Sequence, residues 1–138
     1  MTKISRIVYL AASSLFLIGV TLQIFLAGMV VVALQMGWGN HRDLGHTLGL
    51  PLLVMLVTVY LGRLPSKMIW LTWLLLGVYI IQSDVIIFMR ASLPAVSALH
   101  PVLALVDFGL AAFLVYQAWN LVREADEERT APTELVEA

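Results

Sequence analysis

Four apolar runs, each near or above the ~20 residues that carry a helix across a bilayer, dominate the sequence. They extend from Ile7 to Met36, from about Leu44 to Leu61, from Met68 to Met89 and from about Pro101 to Trp119. Backbone amides in hydrocarbon must be paired within their own segment, so such runs fold as helices. Only Gly37 to Asn40, Gly62 to Lys67 and Arg90 to Leu99 separate them. Connections this short return each helix beside its predecessor. The expected fold is therefore all-α, a transmembrane four-helix up-down-up-down bundle occupying residues 1–122. The remainder, 123–138, carries Glu124, Asp126, Glu127, Glu128, Glu134 and Glu137 and is expected to be an acidic cytoplasmic tail, a helix extension fraying into disorder.

The first run, about 30 residues and roughly 45 Å long as a helix, must tilt or project beyond the hydrocarbon. It far exceeds the core of a secretory signal, so it is expected to stay as a retained span despite Lys3 and Arg6 ahead of it. No internal repeat stands out. The chain is 61% hydrophobic and 12% charged, with mean hydropathy +0.94, which excludes an ordinary soluble domain. A net charge of -1 with no basic stripe gives no footing for nucleic acid. The chain has no cysteine, which excludes disulfides, thiolate metal sites, iron–sulfur clusters and thioether haem attachment.

Orientation follows from the basic residues. Lys3, Arg6, Arg63, Lys67, Arg123 and Arg129 fall at one edge, and Arg42 and Arg90 at the other. The positive-inside rule then puts both termini in the cytoplasm. Trp38 at one edge, with Tyr9, Tyr60, Trp70 and Trp119 at the other, suits interfacial aromatic belts.

All three histidines fall at the opposite, external edge. His41 and His46 open the second run, and His100 opens the fourth. Imidazoles inside a membrane mark functional sites by default. Alternate helices of a four-helix bundle lie diagonally across its core, so one histidine from each can serve as an axial ligand of a flat macrocycle. Asn40 has the character of an N-cap with Asp43 three residues on, and Pro94 that of a first-turn proline for the fourth helix. On that reckoning the depth of His100 matches His46. Clearance favours His41 instead, because Gly45 follows it by four residues as Ala104 follows His100, whereas Leu50 follows His46. Both pairings stay open, and His100 is common to both. Gly28 makes room for a ring, and Arg42 or Arg90 can pair with its propionates.

Other readings use the same residues. The histidines can be interfacial polar groups or interhelical hydrogen-bonding partners. They can also hold Zn or Cu as a set of three, although no HExxH spacing or aimed carboxylate accompanies them. Asp107, two turns deeper than His100, is expected to be neutral or bonded across the bundle, with Gln23 as candidate partner. It serves either as interhelical glue or as a proton acceptor. Pro51 and Pro101 are expected to kink their helices near Thr47 and Ser97.

Gln23-Ile-Phe-Leu-Ala27-Gly28, His41-Arg42-Asp43-Leu44-Gly45 and Leu99-His100-Pro101-Val102 resemble elements of small four-helix prokaryotic membrane proteins of unassigned function. The HRxxG element is also similar to ligand-bearing helices of b-type haem membrane proteins, including haem A synthases. That resemblance implies a prokaryotic plasma (inner) membrane location and makes His41 and His100 the first-choice ligands, with His46 an extra one. The combined expectation is a multi-pass, non-covalent haem b protein for electron transfer or haem handling, an electron carrier rather than an enzyme. Its expected partners are the lipid bilayer, a quinone or subunits of a redox complex, and a second copy of itself. The rival expectation is a non-catalytic accessory subunit.

Overall fold

The computed structural model describes residues 2–130. Among them every regular element is helical: α1 (Thr2–Val31), α2 (Gly39–Thr47), α3 (Gly49–Leu61), α4 (Ser66–Ile80), a π-helical turn (Ile81–Val85), α5 (Ile86–Met89), α6 (Pro94–Ser97) and α7 (His100–Thr130). These make four candidate spans, Thr2–Val31, Gly39–Leu61, Ser66–Met89 and Pro94–Ala125. The fourth helix continues through the start of the acidic segment to Thr130, and residues 131–138 of the expected tail lie outside the described residues.

The proline kinks appear where the missing amides put them. Pro51 cannot bond the Thr47 carbonyl, and the second span breaks at Leu48 between α2 and α3. Pro101 has no amide for Ser97, and the fourth span breaks at Ala98 and Leu99 between α6 and α7. Pro94 takes the first turn of α6, a helix of four residues rather than the start of one long helix. Asn40 does not cap α2. Trp38 occupies the cap position with helical dihedrals, without a side-chain cap bond, and Asn40 is already within the helix.

Helix α1 packs against α3 and α7, and α4 packs against α7 and α3, so the spans go round the bundle in chain order. The first and third spans are diagonal and meet through the core. Thr72 Oγ1 donates to the Met68 carbonyl at 2.8 Å, which leaves it to accept from the Tyr9 hydroxyl at 2.7 Å. Two turns further along, the rings of Phe16 and Tyr79 meet edge to face at 6.0 Å. The outward faces remain apolar: Trp70 is 75% exposed and Phe88 88%. Burial of that surface is left to lipid, while helix–helix packing and buried polar contacts hold the spans together.

At the end holding the termini, Gly62 permits the tight turn into α4. A Cβ there would lie 2.9 Å from the Thr58 carbonyl, and Arg63 follows at φ 49°, in the left-handed region. The Arg6 guanidinium ties α1 to this turn by donating to the Gly62 carbonyl at 3.1 Å.

The core contains a repeat that the sequence hides. Positions 59 apart are buried alike: Tyr9 and Met68, Ser13 and Thr72, Phe16 and Leu75, Leu48 and Asp107, Leu52 and Ala111, Met55 and Leu114, Val59 and Ala118. The first two spans and the last two are thus helical hairpins with one burial pattern. The paired residues differ in chemistry, so the match shows in position rather than in letters.

Candidate functional site

The histidine end of the bundle carries the same repeat in identical residues. Gln23 and Gln82 are 59 apart, as are His41 and His100. In each hairpin the histidine reaches the glutamine's backbone carbonyl across 18 residues of chain. His41 Nδ1 lies 3.2 Å from the Gln23 carbonyl oxygen, and His100 Nδ1 lies 2.9 Å from that of Gln82. A carbonyl only accepts, so each Nδ1 carries a proton, and in the neutral form of either ring Nε2 is the acceptor nitrogen. This is the tautomer that offers Nε2 to a metal, held by the backbone contact that orients metal-binding histidines.

The second and fourth spans bring these two rings together diagonally. Their centroids are 6.1 Å apart with the planes at 71°. Two imidazoles bound on opposite sides of one metal ion, each at ~2 Å, have centres roughly 6 Å apart. Both rings are half-buried, and Trp38 packs edge-on against His41 at 5.4 Å. His46 stands apart from the pair, exposed. Five residues of helix turn it about 140° away from His41. No group of three or more His, Cys, Asp or Glu that could hold a metal ion occurs among the described residues.

The small neighbours have separate surroundings. Gly28 has open space beside it, with no atom within 4 Å of where a Cβ would stand. Gly45 and Ala104 are both half-buried one turn beyond His41 and His100. The clearance at Gly45 is used by Gln23, whose Nε2 lies 2.6 Å from the place of a Cβ. The Gln23 Oε1 has no hydrogen-bonding partner, so that oxygen does not tether the side chain. Arg42 is exposed and lies 3.6 Å from Asp43, while Arg90 is exposed at the end of α5.

Below the rings, Gln82 has two tasks. The π-helical turn, which accommodates an extra residue per hydrogen-bonded ring, contains it. Its carbonyl receives His100, and its side-chain amide donates to Asp107 Oδ2. Asp107 is fully buried, and its partner is Gln82 rather than the expected Gln23. Gln82 Oε1 and Asp107 Oδ1 have no hydrogen-bonding partner. On the other side, the Tyr79 hydroxyl donates to the Gly45 carbonyl at 2.7 Å, where the second span approaches its break. Sequence reasoning places Gln82 near the external end of the third span without giving it a role, and it misses Tyr79. The common 18-residue Gln–His spacing is the signal that finds Gln82; nothing in the sequence distinguishes Tyr79.

Residues 23–87 match a family of unknown function, DUF6220. The match takes in Gln23, His41, Tyr79 and Gln82 and ends before His100 and Asp107. The family description carries no ligand or activity. No curated protein and no solved structure matches the chain.

Proposed function

We propose that the protein binds one b-type haem between His41 and His100 and serves electron transfer or haem handling in the membrane. The observation carrying this reading is the ring pair: two imidazoles from diagonal spans, 6.1 Å apart, each with Nδ1 committed to a backbone carbonyl. The donor set fits the group, since bis-histidine ligation needs two free Nε2 atoms on rings whose centres lie roughly 6 Å apart. Gly28 and Ala104 provide small flanks, and Gln23 must give way beside Gly45. Arg42 and Arg90, at the same end, are cations suited to propionates. The haem supplies one-electron chemistry; the chain supplies ligands, orientation and an apolar enclosure.

The site is read as near the external face, a reading supported by the six basic residues at the opposite edge, which favour cytoplasmic termini. One haem near one face does not carry electrons across the bilayer alone, so a quinone or redox subunit is the partner. Zinc or copper on all three histidines is a weaker reading, because His46 stands apart and no three-residue metal group occurs among the described residues. The accessory-subunit reading uses the two Nδ1 bonds as interhelical links but gives the juxtaposed rings no task.

Purification from haem-replete cells, with absorption spectra of single variants, tests the proposal. His41→Ala and His100→Ala are expected to lose the Soret band or convert it to that of a five-coordinate haem. His46→Ala is expected to keep it unchanged. Loss confined to His46→Ala, or an unaltered spectrum in all three, contradicts the assignment.

A further inference from the structure

The two hairpins depart from their shared pattern at one buried carboxyl group. Asp107 occupies the position that Leu48 holds in the first hairpin, and both are buried. In the first hairpin an apolar side chain satisfies packing at that position, so the shared pattern alone does not call for a carboxyl. The glutamines show the same departure. Gln23 and Gln82 both offer a backbone carbonyl to a histidine, yet only Gln82 has a carboxyl for its side chain.

We infer that Asp107 is the proton-exchanging group of the site, taking up a proton when the site gains an electron and releasing it when the electron leaves. The inference rests on the haem reading above. Asp107 is seven residues beyond His100, roughly 10 Å along the helix, and touches neither ligand. Gln82 links the two, with its carbonyl on His100 and its amide on Asp107. Asp107 Oδ1 and Gln82 Oε1 remain without partners, so the carboxyl has a free oxygen to receive a proton.

The surroundings leave that charge uncompensated. On its own helix the nearest titratable group is His100. The third span presents Gln82, with Tyr79 within electrostatic reach of both Asp107 and the exposed Asp84. The first span contributes Gln23, and the second contributes His41, against His100. No cationic side chain pairs with Asp107 among the described residues. Negative charge arriving as an electron is therefore offset by a proton at the nearest buried carboxylate. With haem held by His41 and His100, a one-electron reductant would supply the electron, and the chain's own part would be the proton at Asp107. One proton from water forms the O–H bond of Asp107, and oxidation reverses both transfers.

The test is the midpoint potential of the full-length protein against pH, in detergent or lipid discs, with dithionite as reductant and the absorption spectrum as control. The native chain is expected to shift by up to about 59 mV per tenfold change in proton concentration. Asp107→Asn is expected to keep the spectrum and lose most of that slope. Asp107→Leu, which copies the first hairpin, is expected to do the same if the asparagine variant fails to fold. A coloured native protein with a flat potential, or an equal slope in the variants, overturns this inference alone. A colourless native protein overturns the haem reading and this inference with it.

Discussion

Histidine Nδ1 protons committed to the carbonyls of Gln23 and Gln82 give the two rings a fixed orientation that a mobile interfacial histidine lacks. Gly45 belongs to the same arrangement. Gly45→Val is expected to push the Gln23 amide aside and disturb the ring of His41, weakening or shifting the Soret band. Gly77→Val, on a helix where a Cβ meets nothing within 4 Å, is the control. The Asp107–Gln82 pair gives a stability prediction. Asp107→Leu alone strands the Gln82 amide and is expected to cost about 1–3 kcal/mol in a detergent unfolding titration. The double variant Asp107→Leu, Gln82→Leu removes both partners and is expected to recover most of that loss. At this scale the sequence revealed which histidines were available, and small neighbours favoured His41. Depth pointed to His46, but depth ignores rotation: five residues carry a side chain well round the helix, and His46 ends exposed. The expected partner of Asp107, Gln23, gives way to Gln82, the equivalent residue of the other hairpin.

Helix interruptions shape the site as much as its side chains do. The break at Leu48 follows from Pro51, and the Tyr79 hydroxyl meets the Gly45 carbonyl just before it. Tyr79→Phe removes that donor and is expected to cost about 0.5–1.5 kcal/mol of stability by reversible unfolding, with the apolar ring contact to Phe16 retained. The π-helical turn at Ile81–Val85 is the counterpart in the third span. It was not legible in the sequence: no proline or glycine lies within Ile-Gln-Ser-Asp-Val, and composition does not separate a π-helical from an α-helical turn. The proline breaks were legible because a missing amide acts locally and predictably. Helix ends were less so. Asn40 looks like a cap, but α2 begins with Gly39 after Trp38.

Across the whole chain, four spans and their antiparallel order followed directly from the spacing of apolar residues. The repeat of two hairpins did not, because membrane cores accept Tyr for Met, Phe for Leu or Leu for Ala at matching positions. It became visible only through burial. The absence of cysteine makes topology easy to test, since single cysteines can be introduced into a silent background. A cysteine at Asn40 is expected to react with an impermeant maleimide added outside intact cells. One at Ser66 is expected to react only after permeabilisation; the opposite pattern reverses the orientation. The haem reading itself meets its most direct test in one reduced-minus-oxidised visible difference spectrum of the purified native protein. The expected result is a Soret feature with resolved α and β bands, as two axial imidazoles on one haem iron produce. A featureless spectrum from protein made in haem-replete cells contradicts it.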